Sequence, residues 1–129
     1  MREHLLTTRV RFGETDKMGV VYHPNYVIYF ELGRTELMRA AGVSYADIER
    51  AGYVFAVTEV GVHYRAKAVY DQELTIRTRV AHLGPATIRF EYTISDGGRI
   101  LADGHTELAC LDARWKPARL PEIVHQLLG

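Results

Sequence analysis

Three features of the sequence predict an α+β fold in which an antiparallel sheet of about five strands wraps around one long buried helix. Two stretches, Glu73 to Ala81 and Ala86 to Ser95, alternate between apolar and polar residues, as strands do when one face meets a core and the other meets solvent. One stretch, Pro24 to Ala41, carries helical spacing over several turns. The order of elements, one strand, one long helix and then strands almost without interruption, leaves that helix to cover the sheet. At 129 residues, 47% of them hydrophobic and 25% charged, the chain suits a single domain over residues 1–129.

Taken in order, Thr7 to Phe12 reads as a half-buried first strand, with Thr8, Val10 and Phe12 on one face and Thr7, Arg9 and Arg11 on the other. A bend containing Asp16 and Gly19 follows. In the helix, Val27, Phe30, Arg34, Leu37, Met38 and Ala41 fall on or near one face, while Ile28, Tyr29 and Leu32 make its first half apolar most of the way round. Such a helix is expected to be buried, and Gly42 supplies its stop. Ser44 with Asp47 resembles a capping box for a short helix that Gly52 ends. Val54 to Tyr64 is rich in β-branched and aromatic residues. Leu74, Ile76 and Val80 are predicted inward, as are Ile88, Phe90, Tyr92 and Ile94. Asp96-Gly97-Gly98 is a tight hairpin turn, Arg99 to Asp112 a last strand and Pro121 to Leu128 a terminal helix.

Composition excludes several classes of function. Sixteen basic and sixteen acidic residues give zero formal net charge, so nothing favours nucleic acid or an anionic membrane. The first residues lack the apolar core of a signal peptide and no apolar run approaches spanning length, so a soluble cytoplasmic protein without membrane insertion is expected. The single Cys110 has no internal partner for a disulfide and is expected to pack in the core. The six histidines lack metal-ligand spacing, and no G-x-S-x-G motif occurs.

Chemistry concentrates between Arg11 and Tyr26. Asp16 sits in a Gly-containing bend, and Pro24 opens the helix that follows, where its missing N–H would have no partner anyway. A carboxylate, free backbone N–H groups and the positive end of a helix dipole thereby come together. Those parts can attack an acyl carbonyl and hold the resulting oxyanion. An Asp in such a turn also serves commonly as a local cap. His23 lies beside the site, and Asn25 is the only asparagine of the chain, as a substrate-binding or a capping amide.

The run Thr15-Asp16-x-x-Gly19-Val20-Val21-Tyr22-His23-x-Asn25-Tyr26 resembles the signature of the 4-hydroxybenzoyl-CoA thioesterase family of hotdog-fold enzymes. Glu31, Arg34, Thr35 and Glu36, with Tyr64-Arg65-x-Lys67-Ala68, make the chain most similar to the acyl-CoA thioesterase branch associated with the bacterial Tol–Pal system. The resemblance implies hydrolysis of acyl-CoA thioesters with no cofactor beyond the coenzyme A of the substrate. It casts Asp16 as nucleophile or general base and the backbone N–H of His23 as the oxyanion donor. It also implies a homo-oligomer, a dimer or a homotetramer built as a dimer of dimers, joined through the edge Val54 to Tyr64. The basic cluster that some members carry for coenzyme A phosphates has no match at Leu83-Gly84-Pro85-Ala86. Arg65 and Lys67, with Arg89 further along, are the cations left, and Tyr22 and Asn25 join them as substrate-binding candidates. Two other functions are weighed: a lyase like the 3-hydroxyacyl-thioester dehydratases, and a non-catalytic acyl-thioester binding module.

Overall fold

The computed structural model describes residues 2–129. Its strands are β1 (Glu3–Arg9), β2 (Val54–Tyr64), β3 (Glu73–Leu83), β4 (Thr87–Ser95) and β5 (Ile100–Leu111). They form one sheet in the order β1-β3-β4-β5-β2, with every neighbouring pair antiparallel. The helices are α1 (Asn25–Ala40), α2 (Tyr45–Arg50) and α3 (Glu122–Leu128). The strand phases are those the alternation predicts. Leu74, Ile76 and Val80 of β3 and Ile88, Phe90, Tyr92 and Ile94 of β4 are buried on the helix side, and Arg77, Arg79, Arg89 and Glu91 occupy the other face.

The first strand lies earlier than its sequence pattern indicates. β1 ends at Arg9, opposite Glu73, and Phe12–Glu14 form a 3-10 turn with Phe12 largely exposed. The phase of Thr8 and Val10 is right, but pairing with β3 runs back to Glu3 because β3 extends that far alongside it. Past Val10 the chain bends away and Phe12 leaves the sheet.

Helix α1 lies chiefly over β1 and β3 and buries Tyr26, Tyr29, Phe30, Gly33, Leu37 and Met38. Phe30 stacks on Tyr92 with ring centroids 4.2 Å apart. Burying an aromatic side chain of this size contributes roughly 2–3 kcal/mol. The helix is not covered all round: Ile28 and Leu32 stay 51% and 40% exposed. A single sheet offers one face to bury against, and among the described residues no element covers Ile28 and Leu32 fully. The short helices close the ends of the core, α2 through Tyr45 against Phe55 and α3 through Val124 and Leu128. Ser44 caps α2 by accepting from the Asp47 N–H. Among the described residues no helix is long and apolar enough to cross a membrane.

Candidate active site

The Asp16 bend is held from several sides. Its backbone N–H donates to the Val20 carbonyl at 2.8 Å, and its carbonyl accepts from Gly19 at 3.0 Å. Gly19 takes φ of +82°, a left-handed conformation that glycine enters without penalty. Oδ1 of Asp16 accepts from the N–H groups of Met18 at 2.9 Å and Val20 at 3.4 Å. Oδ2 accepts no bond among the described residues. One carboxylate oxygen therefore secures the turn, and the other accepts no bond from the described residues.

Glu14, which the sequence patterns do not single out, anchors this bend to α1. Its carboxylate, with only 13% of its side chain exposed, accepts from Tyr29 Oη at 2.9 Å and from the Arg11 N–H at 2.8 Å. Burial first, and then the Glu14 carboxylate, push the Tyr29 phenol well above its ordinary pKa, so Tyr29 remains a donor throughout the neutral range. The Glu14 carbonyl accepts from the Tyr22 N–H at 2.9 Å and from Asn25 Nδ2 at 2.8 Å. Asn25 thus ties the start of α1 to the bend. The signal that could have exposed Glu14 is its position three residues after Arg11, the spacing of a capping box.

A cleft of about 390 Å³ opens beside the bend, lined by Asp16, Met18, Val20, Val21, His23, Tyr26, Tyr64, Arg65, Ala66 and Lys67. Of the six candidate residues it gathers four: Asp16, His23, Arg65 and Lys67. Tyr22 is half exposed with its ring edge-on to His23, and the Asn25 side chain is turned to Glu14; neither lines the cleft. The N–H of His23, just ahead of α1, donates to no acceptor among the described residues, whereas its carbonyl accepts from Tyr26 N at 3.3 Å and from Tyr64 Oη at 3.0 Å. Residue 23 is therefore clamped through its carbonyl with its amide left open.

The two cations of the cleft differ. Arg65 is paired with Asp103, whose carboxylate raises the Arg65 pKa, while Lys67 forms no ion pair among the described residues. Arg89 lies on the far face of the sheet among Glu59, Glu91 and Glu107. A larger groove there, about 650 Å³, is lined by Arg77, Arg79 and Arg89, each of which pairs with a carboxylate. Cys110 is fully buried, and that burial raises its thiol pKa, so it serves packing.

A five-stranded antiparallel sheet on one long helix is the hotdog fold. The sequence profile of the Thioesterase-like superfamily matches residues 10–128. The acyl-CoA thioesterase YbgC of Haemophilus influenzae is 32% identical over 118 residues, covering 90% of this chain and 87% of that protein. The DHNA-CoA thioesterase of Staphylococcus aureus superposes with a TM-score of 0.91 at 33% identity, covering 98% of this chain and 86% of that one. A Thermus thermophilus protein, TT1821, superposes at 0.92 with 35% identity over 96% of this chain and 95% of its own. The chain belongs to the thioesterase-like superfamily and is a hotdog-fold thioesterase.

Proposed function

We propose that this protein hydrolyses acyl-CoA thioesters to the free acid and coenzyme A, with Asp16 as its catalytic carboxylate. The observation that carries this reading is one cleft lined both by a carboxylate with a free oxygen and by a residue whose backbone N–H lacks a partner. In the reaction, either Oδ2 of Asp16 attacks the thioester carbon, or it takes a proton from a water that does so. The carbonyl oxygen gains negative charge, held by the His23 N–H and the positive end of α1. The C–S bond then breaks and the electron pair leaves on sulfur, which takes up a proton; along the nucleophilic route water then cleaves the acyl–Asp16 anhydride, releasing the free acid and restoring the carboxylate. A thiolate is a good enough leaving group for a carboxylate to suffice, with no cofactor beyond the coenzyme A of the substrate. Lys67, which lines the cleft and forms no ion pair among the described residues, is the candidate to meet a phosphate of coenzyme A, with Arg65 in the same lining. The cytoplasm, where CoA thioesters are formed, is the matching compartment. A homo-oligomer, dimer or tetramer, accounts for the free edge of β2 and the bare outer side of α1.

The test is release of free thiol from short-chain, long-chain and aromatic acyl-CoAs. Turnover of at least one class is expected, and inertness toward all of them would refute the reading. An oxyanion held by backbone makes a further demand. His23→Ala keeps the amide, so its kcat is expected to stay within about tenfold of wild type. A larger loss in a folded variant would move the role to the imidazole.

Tyr64 acts through His23. Removing its hydroxyl in Tyr64→Phe deletes the bond to the His23 carbonyl, a contribution of about 1 kcal/mol, so kcat is expected to fall about fivefold with KM little changed. Unaltered kcat would show that Tyr26 N alone suffices to hold residue 23.

A further inference from the structure

The Asp16 bend has two arms that run antiparallel, residues 14–16 and 20–22. The Tyr22 N–H donates to the Glu14 carbonyl, Thr15 and Val21 form a bridge, and the Asp16 N–H donates to the Val20 carbonyl. The first arm carries Asp16, and the second leads directly into His23 and α1. Glu14 is the base of this small ladder. Along the chain it stands just ahead of Asp16, and across the ladder it is bonded to the residue next to His23.

That base is fastened to the body of α1. Asn25 Nδ2 donates to the Glu14 carbonyl, and Tyr29 Oη donates to Oε1 of its carboxylate, the oxygen that also accepts from the Arg11 N–H. Tyr29 is 1% exposed and packs edge-on against Tyr26, which lines the cleft. A phenol packed in this way cannot swing aside to follow its partner, so its bond fixes where Glu14 sits. A carboxylate so far withdrawn from water is costly unless its oxygens are used, and Tyr29 and Arg11 use them. None of Glu14, Asn25 and Tyr29 lines the cleft, so contact with substrate does not account for the cluster.

We propose that Glu14, tethered by Tyr29 and Asn25, is a positioning residue for thioester hydrolysis: it fixes the separation between the Asp16 carboxylate and the His23 N–H so that both address the same carbonyl. This assignment rests on the reading of Asp16 and His23 given above. Misplacing a reacting group by about 1 Å can cost about a hundredfold in rate. Loosening the tether therefore acts on kcat. KM is little affected, because the walls of the cleft keep their places.

Thiol release by four variants tests the assignment. Tyr29→Phe removes one oxygen and keeps the ring in its packing; its kcat is expected to fall about tenfold with KM within about twofold of wild type. Glu14→Ala is expected to lose about thirtyfold or more, and Glu14→Gln, whose amide oxygen can still accept from Tyr29 and Arg11, to recover most of that loss with the pH profile of wild type. Without the Asp16 carboxylate the separation has no chemistry to serve. Tyr29→Phe added to Asp16→Asn is therefore expected to lower the residual turnover by no more than about threefold, which a loss of general stability would not predict. Should Glu14→Ala prove unfolded by near-ultraviolet circular dichroism, Tyr29→Phe and the double variant decide. A kcat of Tyr29→Phe within about twofold of wild type, an equal loss with and without the Asp16 carboxylate, or a folded Glu14→Gln as impaired as Glu14→Ala would overturn the positioning role while leaving Asp16 as the catalytic carboxylate. Wild-type turnover in a folded Asp16→Asn would overturn the reading of the cleft and the positioning role with it.

Discussion

Asp16→Asn is expected to fold as wild type does and to lose at least about a hundredfold in kcat for thioester hydrolysis, the usual consequence of removing a general base or nucleophile. The local geometry makes this a clean substitution. Asn presents an oxygen that can still accept from Met18 and Val20, so the bend that Oδ1 secures is retained. What is lost is the second carboxylate oxygen and its charge. Glu14 is the nearest alternative carboxylate in sequence, but Tyr29 and Arg11 occupy its oxygens and it does not line the cleft. Full activity in a folded Asp16→Asn, measured by thiol release with thermal unfolding as the control, would remove Asp16 from the mechanism and with it the reading of the cleft.

Gly104→Ala is expected to cost about 3 kcal/mol of stability or more, the upper range for overpacking a dense core. A Cβ at Gly104 would lie 2.1 Å from the Gly61 carbonyl oxygen and 2.9 Å from two atoms of the Phe30 ring. The oxygen belongs to the neighbouring strand and moves only with the ladder. The ring is fully buried and stacked on Tyr92. Neither contact can yield by a simple rotamer change. Phe30 sits on α1 seven residues past His23, so relief by shifting the helix would also disturb the helix start at the cleft. Urea unfolding measures the loss; a midpoint unchanged from wild type would show that the sheet has slack at this position.

Much of the architecture was legible because its signals are local. The inward residues of β3 and β4 follow from alternation, and Val54 to Tyr64 coincides with β2 as built. Where β1 begins could not be read, since its limit is set by pairing with residues some seventy positions away. The helix misled in one respect. Apolar residues nearly all round its first half predict complete burial, but a chain with one sheet buries one side, and Ile28 and Leu32 remain open.

By itself, the sequence determined the fold class, the place of the Asp16 bend and the family, because each is written in short-range spacing: period two, helical period, and a dozen residues at fixed separations. Only the tertiary structure decided what those residues contact. It showed that Asn25 serves the Glu14 carbonyl rather than the cleft, and that Tyr64, 41 positions away, clamps His23. It also separated Arg65, already paired with Asp103, from Lys67, and brought Arg34 against Tyr92 with its Nη1 unsatisfied. These are contacts between segments far apart along the chain. No local pattern encodes them, because they depend on which strands are neighbours, on their register, and on where the helix comes to rest across the sheet.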